Sequence, residues 1–273
     1  MYNNTLYDQH IHSSFSSDGA RGFTIENVIR AAEKRGLAGV AVTDHYDPLW
    51  PDESDPSYLD IPAYEKALTE AEALSAGRIR FAKGIELGFV PGEALEMCEN
   101  VVGAYPYDFV IGSVHYSLTS PIEYPAFLEN RPLEEVLDEY FALLFDSIKV
   151  YKNYDVIGHI NCMDRYTDGF APPALYMPYI DEIMRAAISD GKGIEINTSS
   201  FRYGIGEHGT PTQPILDRFK ELGGEIVTIG SDAHRASDVG ADIEKGEEML
   251  LAAGIPYVAV FSERRPDFIK LRT

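Results

Sequence analysis

The chain of 273 residues is poor in cysteine and in positive charge, and it has no long apolar run. Its two cysteines, Cys98 and Cys162, lack CxxC spacing; buried free thiols of a reducing compartment are expected rather than a disulfide framework. Lys and Arg number 23 against 44 Asp and Glu, a formal net charge of −21. That balance excludes a nonspecific nucleic-acid binder, which needs cations to meet phosphates. No stretch approaches the roughly 20 apolar residues of a membrane span, and the start Met-Tyr-Asn-Asn-Thr lacks the basic and apolar regions of a secretory signal. The expectation is a cytoplasmic protein with no membrane and no nucleic-acid partner. Nothing in the pattern specifies an oligomeric state. There is also no internal repeat, low-complexity tract or linker-like break, so one domain over 1–273 is expected.

What is present is an alternation. Apolar, β-rich runs at 6–12, 39–43, 79–86, 109–114, 156–160, 193–197 and 225–229 alternate with helical patterns at 24–35, 62–76, 93–100, 132–151, 173–190, 212–222 and 241–253. Thr24 followed by Asn27 is a helix-start signal, and Gly36, Gly77, Gly191 and Gly223 are stop signals. Seven such units predict a parallel α/β barrel rather than an open doubly wound sheet. An open sheet would carry a Gly-rich phosphate turn after its first strand, and the loop 12–19 is not one. Two connections are long. The 44–61 segment holds Trp50, Pro48, Pro51, Pro56 and several acids, and the second runs over 115–131. Both leave strand C-terminal ends, where they are placed to cover a substrate.

The histidines decide the chemistry. In a strand, residues i and i+2 share a face, so His10 and His12 point the same way. Asp18 follows on a loop of small polar residues. The other strand ends carry His45, Glu86, His115, His159, Asp232 and His234, so six of the seven histidines gather at one end of the proposed barrel. With Asp18, Glu86 and Asp232 they make nine candidate ligands, enough for two or three divalent ions sharing a carboxylate. Imidazole with carboxylate suits Zn, Mn or Fe better than Mg or Ca. Asp8, deeper on the same face, is expected to back a ligand imidazole. Arg165 and Arg202, after the fifth and sixth strands, carry the planar forks that match phosphate oxygens. His208, the seventh histidine, is expected at the surface.

The set HIHSSFSSDG, VAVTDH, GIE, IGSVH, VIGHIN and GSDAH, running in order from Tyr7 to His234, resembles the polymerase-and-histidinol-phosphatase (PHP) superfamily. The resemblance implies a distorted (β/α)7 TIM-like barrel with a trinuclear metal centre at the C-terminal ends of the strands, and phosphoesterase activity. It places His10, His12, Glu86 and Asp232 on a first ion. Glu86 would bridge to a second held by His115 and His159, with Asp18, His45 and His234 on a third. Asp18, His45, His234 and Arg165 would then be the catalytic set, with Arg165 and Arg202 binding substrate. Three divalent ions less three carboxylates leave a local charge of roughly +3, which would draw an anionic substrate to an acidic protein. The implied chemistry is in-line attack on phosphorus by a hydroxide bridging the first two ions.

Length and later motifs resemble the monofunctional histidinol-phosphate phosphatases: the Arg165-Tyr166 pair, the segment Glu195-Ile196-Asn197-Thr198-Ser199 with Arg202, and the ending 260–266. Hydrolysis of L-histidinol phosphate in histidine biosynthesis is the activity this implies. The acids Asp52, Glu53, Asp55 and Glu123 of the long loops are candidates to meet its cationic groups. The alternative is a PHP phosphoesterase acting on a nucleotide, a phosphotyrosine protein or another small phosphate ester. Two departures bear on that choice: Asn161 stands where Asp often follows the Gly-His pair, and 204–212 lacks a customary Tyr-Pro. A noncatalytic scaffold is the reading from a different class. Degenerate domains of that kind lose ligands, and none is missing here.

Overall fold

Strands that are apolar on both faces can be buried only in a sheet covered on both sides. Gly39–Val42 (β2), Phe109–Ser113 (β5), Gly193–Asn197 (β7) and Val227–Gly230 (β8) are buried at every position. They pair in parallel with Tyr7–Asp8 (β1), Arg80–Gly88 (β4) and Val156–Ile157 (β6), in the order β1-β2-β4-β5-β6-β7-β8. A short strand, His45–Tyr46 (β3), extends the β2 side and pairs with β4. This structure, a computed structural model, describes residues 6–54, 57–167, 171–202 and 208–272. Asp55, Pro56 and residues 204–207 of the divergent segment 204–212 therefore lie outside the described residues.

The first run, expected as one strand over 6–12, forms a regular ladder only at Tyr7–Asp8. Beyond it the chain stays extended and is shared between two neighbours. Thr43 N donates to Ile11 O at 2.8 Å on one side. On the other, Gln9 N donates to Ile229 O at 2.9 Å, Asp232 N to His10 O at 2.8 Å, and Ile11 bridges Ala233 in parallel. These bonds join β1 to β8 and close the seven parallel strands into a nearly complete barrel.

The helices are Ile25–Arg35 (α1), Ile61–Ser75 (α2), Glu93–Ala104 (α3), Pro125–Leu128 (α4), Leu133–Val150 (α5), Pro173–Ser189 (α6), Gln213–Glu221 (α7) and Ile243–Ala252 (α8). α1 shows the local logic. Thr24 and Asn27 exchange side-chain and backbone hydrogen bonds as a capping box, and Ile25, Val28, Ile29 and Ala32 form the buried stripe. Gly36 ends the helix at φ 75°, a left-handed conformation in which a Cβ would be strained. α3 runs past the expected end at residue 100, because Val101 and Val102 continue its apolar face. The 115–131 connection contains α4 rather than being wholly irregular. No helix among the described residues is long and apolar enough to cross a membrane.

One element was not expected: an antiparallel hairpin of Tyr257–Ser262 (β9) and Arg265–Lys270 (β10). Phe261 stacks on Phe109 with ring centroids 4.9 Å apart. Together with Ala41, Ala82, Ile111, Val156 and Ala259 they form a separate apolar cluster inside the barrel. Gln9 Nε2 donates to Ala259 O at 2.6 Å, Asp108 accepts from Glu263 N at 2.9 Å, and Arg264 Nε donates to Asp155 at 2.6 Å. Asp108 and Asp155 directly precede β5 and β6, so the hairpin plugs the N-terminal end of the barrel. The C-terminal end is left for the site.

Candidate metal centre

Glu86, near the end of β4, is fully buried and stands at the centre of the imidazoles. Its Oε2 lies 3.1 Å from His10 Nε2, 3.5 Å from His12 Nε2 and 3.0 Å from His45 Nδ1. Its Oε1 lies 3.2 Å from His115 Nε2 and 3.1 Å from His159 Nε2, and accepts from Ser113 Oγ at 2.6 Å. Asp232, after β8, sits 3.3 Å from His12 Nε2 and 3.8 Å from His10 Nε2. Asp18 approaches His234 Nε2 at 2.9 Å and His45 Nε2 at 3.7 Å. All nine side chains singled out in the sequence thus fall into one contiguous network.

Their grouping is tighter than the three-ion partition suggests. Ligand atoms converge in three sets: His10, His12 and Glu86; His45, Glu86 and His115; His12, His45 and His234. His45 belongs to two of them because its ring nitrogens face opposite ways, Nδ1 to Glu86 and Nε2 to Asp18. The rings of His12 and His45 stack at 4.1 Å, and those of His12 and His234 at 4.3 Å.

The donor set fits divalent cations. His12 Nε2 and His45 Nδ1 are buried and make no hydrogen bond, although each faces the Glu86 carboxylate. Buried nitrogens are costly to leave so, unless a Lewis acid takes the lone pair. Electrostatics point the same way. Burial opposes charge on His115, but Glu86 and Asp47 outweigh it and lift its pKa to about 10. His159 is raised to about 9 against the same burial, by Cys162 and Glu86. Glu86 is itself driven well below the carboxylate range, since His10, His115 and His45 overcome its burial. His12 goes the other way, pushed down by burial and by the facing His45 and His234. Protons on His115 and His159 thus hold positions that a divalent cation would contest.

Close packing at these strand ends explains two glycines. A Cβ on Gly158, next to His159, would lie 2.3 Å from Ser113 Oγ, and one on Gly230 would lie 2.2 Å from His10 Cβ. Behind the ligands, the loop carrying Asp18 is shaped by Asp44. Its buried carboxylate accepts from the backbone N and Oγ of both Ser13 and Ser16, at 2.7 to 3.0 Å. Asp47 backs His115, with Oδ1 2.8 Å from Nδ1.

Asp8 does not take the role expected of it. Its carboxylate accepts from Ser231 N, Ser231 Oγ and Gly240 N at 2.5 to 2.8 Å, tying β1 to the loop after β8. The carboxylate behind His10 is Glu195 of β7, whose Oε1 is 2.6 Å from His10 Nδ1. Its Oε2 accepts from His159 N at 3.0 Å. The signal was the Glu-Ile-Asn alternation, which puts Glu195 and Asn197 on one face of their strand. Because such a partner fixes the tautomer of an imidazole that takes up a cation, Glu195→Gln is expected to weaken the binding of a divalent probe, added zinc, roughly 10- to 100-fold, measured by competition with a chelating dye. Wild-type affinity in the variant would remove Glu195 from the support of His10.

The two arginines part company. Arg165 borders the cleft and reaches Asn197 Oδ1 at 2.9 Å, Ser199 Oγ at 2.7 Å and Asp232 Oδ2 at 3.4 Å. Arg202 donates to Ser231 O at 2.5 Å and stands 3.8 Å from Asp238; it is not among the described residues lining the cleft. The cleft has a volume of about 410 Å³. Both long connections contribute to its wall, through Trp50 and Ser57 from one and Ile122 and Glu123 from the other. Asn161 is buried and donates to Asp164 at 2.7 Å. His208 is exposed and borders a different depression, beside Phe201 and Met249.

Comparison with known proteins gives one family model, described as PHP domain, that matches residues 8–199. Among curated proteins, a probable histidinol-phosphatase of Clostridium acetobutylicum is 30% identical over 264 residues, covering 95% of this chain and 98% of the relative. A histidinol-phosphatase of Lactococcus lactis is 30% identical, covering 95% and 96%. Among solved structures, histidinol phosphate phosphatase from Lactococcus lactis, complexed with zinc, L-histidinol and phosphate, superposes with a TM-score of 0.86 at 28% identity. That match covers 96% of this chain and 99% of the other.

Proposed function

Because the chain belongs to the PHP domain family, we propose that it is a metal-dependent phosphomonoester hydrolase that converts L-histidinol phosphate and water into L-histidinol and phosphate. The observation that carries this reading is the convergence of six imidazoles and three carboxylates beside Arg165, at the wall of one cleft and directly behind it. The relatives of nearly equal length support the substrate.

We assign two to three divalent ions to the site, Zn, Mn or Fe, since borderline cations favour mixed imidazole and carboxylate ligands. His10, His12, Glu86 and Asp232 would hold one, Glu86 with His115 and His159 a second, and Asp18, His45 and His234 a third. Such ions supply Lewis acidity toward phosphoryl oxygens and bring the deprotonation of water into the neutral range. The chain's own residues do the rest. Arg165 presents its guanidinium at the cleft, oriented by Asn197 and Ser199, to hold phosphate oxygens. Trp50 and Ile122 give the cleft apolar walls that limit water. Glu123, on the same wall, offers a carboxylate to a cationic leaving group.

The test is phosphate release from L-histidinol phosphate, with zinc or manganese supplied and a chelator as control. The expected kcat/KM exceeds about 10⁴ M⁻¹s⁻¹ and disappears on chelation. Turnover of other phosphate esters with none of histidinol phosphate would move the function to another small ester. No turnover of any ester by metal-loaded protein would overturn the enzymatic reading.

A further inference from the structure

β7 supplies none of the nine candidate ligands, yet its C-terminal end carries a cluster of polar contacts beside the cleft. Asn197 is fully buried there. Its amide nitrogen donates to Asp232 Oδ2 at 3.1 Å and to Glu195 Oε2 at 3.3 Å. Its amide oxygen accepts from Arg165 Nη2 at 2.9 Å and from Ser199 Oγ at 2.5 Å. Ser199 Oγ in turn accepts from Arg165 Nη2 at 2.7 Å. One side chain therefore meets the carboxylate behind His10, a carboxylate of the ligand set and the guanidinium.

Only a group that donates at one end and accepts at the other fits this junction. A carboxylate in its place would put a third negative charge against Glu195 and Asp232. It would also give Arg165 a further charged partner beside Asp232, and charge-assisted bonds are roughly twice as strong as neutral ones. An apolar side chain would take one donor from Asp232 Oδ2, leaving it the longer contacts of Ser199 Oγ at 3.2 Å and Arg165 Nη1 at 3.4 Å, and would leave Ser199 Oγ to hold Arg165 Nη2 without Asn197.

We propose that Asn197 is the positioning residue of the phosphate clamp: with Ser199 it holds Arg165 Nη2 by neutral acceptors, at shorter range than the Asp232 carboxylate 3.4 Å from Nη1, so that the guanidinium is oriented toward the cleft for an incoming phosphate. The Asn197–Asp232 contact then registers the clamp against the metal ligands. This rests on the phosphoesterase reading of the cleft but not on histidinol phosphate as the substrate.

The experiment measures binding of inorganic phosphate to zinc-loaded protein by calorimetry, with zinc content determined alongside, for the wild type, N197D, R165A and the double variant N197D/R165A. N197D is expected to lose at least tenfold in phosphate affinity while keeping the wild-type zinc content. In the R165A background the same change should have almost no further effect, because the loss runs through the guanidinium. N197A serves as the second variant should N197D fold poorly; its loss should be smaller and equally absent without Arg165. Phosphate affinity within twofold of wild type, a loss that adds fully to that of R165A, or a fall in zinc content would each overturn the assignment. A chain that binds phosphate as expected but ignores histidinol phosphate would leave this proposal standing and sink only the substrate.

Discussion

Glu86→Gln is expected to strip at least one metal ion from the site and to lower kcat/KM by about a thousandfold or more. The side chains are nearly equal in size, so the effect is chemical. Both oxygens of Glu86 face imidazoles, five within 3.5 Å, in a position with no solvent exposure. Glutamine removes one of three carboxylates from the ligand set and turns an NH₂ donor toward nitrogens that need an acceptor or a cation. Removing one partner from a buried charged network costs about 3–5 kcal/mol, so the metal-free variant should also melt earlier than the metal-free wild type. Elemental analysis, a turnover assay and a melting curve on the same preparation check the three parts. Wild-type metal content with wild-type turnover would show that Glu86 does not bridge the site.

The second large effect is expected at Arg165. Arg165→Ala removes a charge-assisted contact to phosphate, about 2–3 kcal/mol, or roughly thirty- to two-hundred-fold in kcat/KM. Arg165→Lys should recover only part of this, since lysine keeps the charge but not the fork. The metal content should stay unchanged, which separates this variant from Glu86→Gln. If Arg165 grips the phosphate equally in ground and transition states, the loss shows in KM; if its grip tightens as charge develops, kcat falls instead. Unchanged kinetics in the alanine variant would take Arg165 out of the site.

Much of this site was legible because strand geometry is local. His10 and His12 had to share a face once residues 9–12 were extended, and their ring centroids lie 4.9 Å apart. Histidines at the ends of parallel strands had to meet once those strands closed on themselves. The C-terminal hairpin was harder to see, because β10 is largely exposed, with a burial pattern that reads as surface chain. What orders it is Phe109, Asp108 and Asp155, more than a hundred residues away in sequence. The same applies to Asp8 and Glu195. Both are buried carboxylates on strand faces near His10, and only the stagger of β1 against β7 and β8 brings one to the imidazole and the other to Ser231.

The sequence by itself therefore determined the inventory: a βα alternation, the residue types at each strand end, and a ligand set suited to divalent cations. These follow from side-chain periodicity and coordination chemistry, which need no partner from elsewhere in the chain. Only the tertiary structure decided which carboxylate stands behind His10, that Arg165 borders the cleft while Arg202 is tied to Ser231 and Asp238, and that Asn197 contacts both Arg165 and Asp232. Such choices depend on barrel stagger and on competition among buried polar groups for a few partners. Those quantities are set by the packing of all seven strands together, and no local stretch encodes them.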